Sequence, residues 1–275
     1  MKIIGTILSL FAIISIGYAP PPPGGGSGGA FFAGQNSLNV STPLSTTQPS
    51  DISGLFGWYK SDNLVTNLSG TTPPTDGDLV QGWGDSSGNN RVLSTNNPTA
   101  AGPTWRNAAT LGKNQGGIQF ASGKHMRVGF TGLANTTICT AWRNNSSGGT
   151  HMVCDSTNSG NRNAVYINGS DNFTIYSGGA FLVGGTAVAF PTWNIEIGVF
   201  NGSGNDSIYT NGVLAVTGVS GNDTLDGLNV GSANDGNNNL GAGEYVGEVI
   251  VYNRNLNSTE LYQIFTYLNL RWNVR

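Results

Sequence analysis

From residue 55 onward the apolar positions come in short bursts rich in Val, Ile, Tyr, Phe and Trp, separated by clusters of Gly, Asn, Asp and Ser. Such bursts between turn formers are the signature of β-strands. The pattern predicts strands near 55–60, 79–83, 117–120, 126–130, 137–143, 151–155, 164–168, 173–176, 193–200, 207–209, 213–217, 228–230 and 245–252. With no helical pattern between them, these strands belong in antiparallel sheets, closed or doubled so that the edges are hidden. Asn211-Gly212, between two apolar runs, marks a tight hairpin. A different period takes over at the end: Leu261, Ile264, Phe265, Leu268 and Trp272 form one helical stripe behind a capping-box start, Asn257 to Glu260. No internal repeat appears, which argues against a propeller or solenoid.

Composition sharpens this picture. Glycine is 42 of 275 residues and charged residues are 10%, against usual shares of about 7% and about 25%. Helical bundles and coiled coils are thereby excluded. The net charge of −3 supplies no basic face, so nucleic acid is not an expected partner. Residues 3–19 carry no charge and read as a signal peptide, a retained N-terminal anchor with membrane contact, or a segment buried in an assembly. Pro20–Pro23 and the glycines after it open a Pro/Gly/Ser-rich stalk over 20–49, with the globular domain at 50–275. These features point to an extracellular or surface-exposed protein.

The two cysteines invite a pairing. If 137–143 and 150–155 form a hairpin around 144–149, Cys139 and Cys154 are equidistant from its midpoint and face each other across the ladder. A Cys139–Cys154 disulfide is the expectation in an exported chain, with two reduced buried thiols as the alternative.

Gly57-Trp58-Tyr59-Lys60-Ser61-Asp62, Trp83-Gly84-Asp85-Ser86-Ser87-Gly88-Asn89 and Gly117-Ile118-Gln119-Phe120 resemble the opening of laminin-G-like, concanavalin A-type lectin/glucanase domains. Tyr209-Thr210-Asn211-Gly212, the run Gly247 to Leu256 and the helix ending Tyr267 to Trp272 resemble that family's close. The resemblance covers roughly 51–275 and implies an all-β, two-sheet antiparallel jelly-roll sandwich with one C-terminal helix. Such domains serve glycan binding, adhesion, glycan hydrolysis or bulk structure on bacterial and viral surfaces, and fold alone does not choose among them.

Hydrolases of this family carry two catalytic carboxylates on one strand in the pattern Glu-x-Asp-x-x-Glu, which is absent here. Glu196 has no acidic neighbour at i+2 or i+4, and Glu244 and Glu248 flank a glycine-containing segment. His125 and His151 lack the spacing of a zinc site, and there is no Gly-x-Ser-x-Gly elbow. Catalysis is not expected. Sugar binding needs an exposed aromatic beside hydrogen-bonding groups. Trp58, Trp83 and Trp272 sit in scaffold motifs, whereas Trp105, followed by Arg106 and Asn107, occupies a loop-like setting and is the candidate platform. Asp235, Asn237 and Asn239 offer oxygens at i, i+2 and i+4 for calcium, without the closing bidentate acid; a plain Asn/Gly hairpin loop is the alternative.

The sequence therefore suggests a non-catalytic, surface-displayed structural or adhesion module, such as a virion decoration, spike or fibre protein with glycan binding. Its partners would be glycans, other surface or virion proteins, or a second copy in a homo-oligomer. A secreted bacterial lectin-like polysaccharide binder and a glycan hydrolase are the alternatives.

Overall fold

The computed structural model describes residues 47–68, 71–95 and 102–274. The N-terminal signal or anchor and almost all of the stalk lie outside the described residues. The strands are β1 (Leu55–Val65), β2 (Gly82–Asp85), β3 (Leu93–Ser94), β4 (Thr104–Arg106), β5 (Gly117–Phe120), β6 (Met126–Val128), β7 (Asn135–Arg143) and β8 (His151–Asp155). They continue with β9 (Asn163–Ile167), β10 (Asn172–Ser177), β11 (Ala180–Ala187), β12 (Trp193–Asn201), β13 (Asp206–Thr210), β14 (Val213–Gly218), β15 (Leu228–Val230) and β16 (Glu244–Tyr252). Among the described residues two α-helices, α1 (Ala108–Leu111) and α2 (Ser258–Trp272), and a short 3-10 helix, Pro49–Asp51, complete the set.

All ladders are antiparallel and form one path, β11-β10-β9-β8-β15-β6-β3-β2-β1-β16-β7-β12-β13-β14, with β5 added beside β16 and β4 beside β5. The path folds back on itself until β11 lies against β13 and β14, so the sheet is nearly a barrel. One half (β1, β16, β7, β12, β13) and the other (β8, β9, β10, β15) share an interior cluster that includes Trp142, Val249, Phe200, Val165, Ile175 and Val230.

The outer face of the first half is covered by α2. Asn257 Oδ1 accepts from the backbone N–H groups of Thr259 and Glu260 at 3.0 and 3.1 Å, and Glu260 Oε2 accepts from Asn257 N–H at 3.0 Å, the expected capping box. Leu261, Ile264, Leu268 and Trp272 are buried as the stripe requires; Tyr267 joins them and Phe265 is only half-buried. Each fully buried aliphatic side chain contributes about 1.5–3 kcal/mol. Trp272 stacks on Trp193 with ring centroids 4.6 Å apart. It packs so close to β16 that a Cβ on Gly247 would sit 2.2 Å from the indole, which explains the glycine.

The disulfide expectation is corrected here. Strands β7 and β8 are not paired: β7 runs between β12 and β16, while β8 runs between β9 and β15. Residues 144–150 carry the chain from one half of the sheet to the other instead of closing a hairpin. Cys139 faces α2 opposite Ile197 and Ile250, Cys154 packs in the interior cluster, and both are free buried thiols. The physical reason is burial: positions 136–142 are buried on both faces, so β7 is a central strand and needs partners on both sides.

Candidate functional site

The carboxylates come first because they decide whether hydrolysis is available. Glu248 is fully buried beneath α2. Trp58 Nε1 donates to its Oε1 at 2.6 Å and Tyr267 O–H at 2.8 Å, Trp272 Nε1 donates to Oε2 at 3.1 Å, and Arg271 Nε pairs with Oε2 at 2.8 Å. Burial pushes its carboxyl up from the usual range, opposed by Arg271 and these donors. Glu248 is thus a structural lock between strands and helix. Glu196 is buried on the interior face and accepts one hydrogen bond, from Thr210 Oγ1 at 2.8 Å. Its other oxygen has no partner among the described residues, and burial holds the carboxyl well above its ordinary value. Neither acid reaches solvent.

The predicted platform is also structural. Trp105 stands in β4 rather than a loop, packs half-buried against the interior cluster, and donates from Nε1 to the Ser61 carbonyl at 3.3 Å. Arg106 Nε donates to Gln119 Oε1 at 2.8 Å, and Asn107 Oδ1 caps α1 by accepting from Thr110 N–H at 2.8 Å. All three are half-buried and tied into the scaffold, so Trp105 stands in a strand and not as an exposed loop side chain. In the 235–239 loop, Asp235 accepts from the Asn237 backbone N–H and from Asn237 Nδ2, each at 2.9 Å. That is an Asx turn in which Asn237 presents its nitrogen, and not its oxygen, to the carboxylate. No group of three or more His, Cys, Asp or Glu side chains arranged for a metal occurs among the described residues.

A different site emerges on the outer face of the second half. A cavity of about 370 Å³ is lined by Met152 on β8, Tyr166 on β9, Tyr176 on β10 and Phe181 on β11. Arg162, Thr150 and Asn238 complete it. Strand alternation builds the aromatic floor. Val165, Ile167, Phe173 and Ile175 point into the core, so Tyr166 and Tyr176 must point out. Met152 lies opposite Tyr166 and Tyr176 opposite Phe181 in the ladders. The Tyr176 and Phe181 rings are 5.0 Å apart, and Phe181 is 60% exposed. Burial pushes the Tyr166 phenol up to about 12, which keeps it neutral.

The polar wall is equally ordered. The Arg162 guanidinium lies 4.9 Å over the Tyr176 ring and binds the buried Asp155 carboxylate through Nε, 3.1 Å from Oδ2, and through Nη2. Asp155 also accepts from the backbone N–H groups of Ser156 and Asn234 at 2.8 and 2.9 Å. Asn234 belongs to the 231–241 loop, which Arg127 Nη2 and Asn229 Nδ2 also hold, and which brings Asn238 to the cavity. The charge of Arg162 is therefore spent on Asp155, leaving aromatic faces, a hydroxyl and an amide: the chemistry of a neutral, hydroxyl-rich ligand. Sequence reasoning placed strands over Tyr166 and Tyr176 but missed the site, because Phe181 lies in a Gly-rich strand that the pattern did not mark. Apolar residues on both faces of 164–167 and 173–176 were the available signal.

No protein-family model and no curated protein matches the sequence. Solved structures do resemble the fold. The binding domain of Paraclostridial Mosquitocidal Protein 1 aligns at 15% identity with a TM-score of 0.52, over 68% of this chain and 50% of that one. Domain 4 of AbnA, a GH43 extracellular arabinanase from Geobacillus stearothermophilus, in complex with arabinotriose, aligns at 17% identity and a TM-score of 0.51, over 76% of this chain and 97% of that domain. Trypanosoma rangeli sialidase in complex with sialic acid aligns at 14% identity and a TM-score of 0.53, over 80% of this chain but 34% of the sialidase. The chain thus spans half of the toxin binding domain and about a third of the sialidase. At these identities the likeness is one of fold: an antiparallel β architecture that recurs in binding domains.

Proposed function

We propose that the domain is a non-catalytic glycan-binding module of concanavalin A-like, jelly-roll character, displayed on a cell or virion surface. The observation that carries the reading is the aromatic floor of exposed Phe181, half-buried Tyr176 and buried Tyr166 beside an internally neutralised Arg162. A sugar ring stacks its C–H face on such rings while its hydroxyls bond the Tyr phenols, Thr150 and Asn238. The ligand this suits is a neutral oligosaccharide. Likeness to an arabinotriose-bound domain over nearly its whole length supports the class of ligand without naming the sugar. The uncharged 3–19 run and the Pro/Gly stalk support surface display. A hydrolytic role has no support in two carboxylates sealed from solvent.

The test is a glycan array followed by calorimetry with arabinan- and β-glucan-derived oligosaccharides. Binding that Tyr176→Ala and Phe181→Ala weaken, without release of new reducing ends, is expected. Binding untouched by both substitutions, or turnover of any bound glycan, would remove the reading.

A further inference from the structure

The two loops that frame the cavity meet at one buried carboxylate. Glu244, fully buried at the start of β16, pairs through Oε1 with His151 Nδ1 at 3.0 Å and accepts from Ser146 Oγ at 3.5 Å. Its Oε2 accepts from the backbone N–H of Gly241. Ser146 and His151 belong to the segment that carries Thr150 to the cavity; Gly241 closes the loop that carries Asn238. Removing the carboxylate would cut this link between them and leave the Met152 N–H to Asn238 carbonyl bond, at 3.0 Å, to hold the loop against β8 at the cavity.

The state of His151 follows from its partners. While Nδ1 faces Glu244, Nε2 lies 2.8 Å from the Gly148 carbonyl oxygen. The carbonyl oxygen cannot donate, and neither can Glu244 as a carboxylate. A neutral imidazole has one N–H and would turn a lone pair toward one of them; only the imidazolium donates to both. Gly148 and Gly149, at φ +78° and +88°, let the chain double back to place that carbonyl, and Gly148 N–H donates to Asp171 Oδ1 at 2.7 Å.

We propose that His151 is a proton-operated latch: protonated, it ties the 144–151 and 231–241 segments together through Glu244 and tightens the cavity rim; deprotonated, it drops that tie and loosens the rim. This rests on the cavity being the glycan site. Two charges act on the ring, Glu244 from β16 and Asp171 from the β9–β10 turn. Both are negative, and with the Glu244 and Gly148 bonds they raise the His151 pKa against the opposing effect of burial. A raised pKa gives a contribution that is complete below the ordinary histidine value of about 6.5 and is lost as pH climbs through the folded-state value. Above it, Glu244 is a buried carboxylate without a countercharge.

The chain has two histidines, so ring ¹⁵N shifts of labelled protein are simple to follow. The expected result is that His151 carries protons on both nitrogens at about pH 6 and titrates above His125, which burial and Arg127 hold low. Amide exchange at Gly148 and Gly241 should then accelerate together as His151 titrates, and should be fast at every pH in His151→Gln. Glu244→Gln should return the His151 titration toward its ordinary value. Affinity for arabinotriose, or for the strongest array ligand, should fall by at most about tenfold per pH unit across the same range, the limit for one coupled proton. A single neutral tautomer at about pH 6, or exchange at both loops that ignores the titration, would overturn the latch. Loops that loosen with His151 in a protein that binds no glycan would leave the latch standing and remove the binding reading alone.

Discussion

Glu196 and Glu248 lie on the two strands that flank β7, paired with its consecutive residues Thr140 and Ala141, and so leave the sheet on opposite faces. One points into the interior and the other toward α2. A retaining hydrolase needs two carboxyls about 5 Å apart on the same side of a sugar; here a sheet stands between them.

Glu248→Leu is expected to destabilise the domain by about 3–5 kcal/mol, because it leaves Arg271 with the exposed Asp62 alone, 2.8 Å from its Nη2, and two indole N–H groups and a phenol unpaired in a buried place. Urea unfolding followed by tryptophan fluorescence measures this. A loss below about 1 kcal/mol would mean that the cluster is no lock.

Glu196→Gln is expected to act in the opposite direction. A buried carboxyl whose folded pKa is raised contributes stability that is complete below the unfolded value of about 4.3 and declines as pH rises toward the folded one. The amide removes that decline. Melting temperature at pH 8 should rise by roughly 2–4 °C, the equivalent of about 1 kcal/mol, with no gain at pH 4; an equal gain at both pH values would contradict the ionisation argument.

At the cavity, Tyr176→Ala and Phe181→Ala should each weaken oligosaccharide binding by about 2- to 10-fold, the worth of one aromatic face at about 0.5–1.5 kcal/mol. Trp105→Ala should leave affinity unchanged in the folded protein and lower its melting temperature, since the indole packs in the scaffold. Calorimetry beside a thermal melt separates the two effects.

Both thiols should resist Ellman's reagent in the native protein and react fully in denaturant without reductant. Burial pushes the Cys139 and Cys154 thiols far above their ordinary value, so no thiolate is present to react. Cys139→Ala should cost no more than a small core truncation, and loss of only one thiol equivalent in the denatured, unreduced protein would point to an intermolecular bridge.

Local rules were enough for much of the scaffold. Alternation and turn residues placed most of the strands, and Asn257 with Glu260 announced the start of α2 to the residue. The Asn211-Gly212 turn joins β13 to β14 as its left-handed φ values, +50° and +81°, require. These features depend on neighbours along the chain, which a sequence displays directly.

The site depended on neighbours in space. Cys139 and Cys154 are symmetric about a loop in sequence, yet that loop crosses between the two halves of the sheet, and only the burial of β7 on both faces decides this. Trp105 looked exposed because its flanks are polar, and ladder pairing with β5 half-buried it. Conversely, Tyr166, Tyr176 and Phe181 lie on three strands and Asn238 on a remote loop. Sequence determined that the chain makes strands with two apolar faces, while the fold-back of the sheet decided which face became core and which stayed open, because burial is a property of the assembled layers and not of any segment alone.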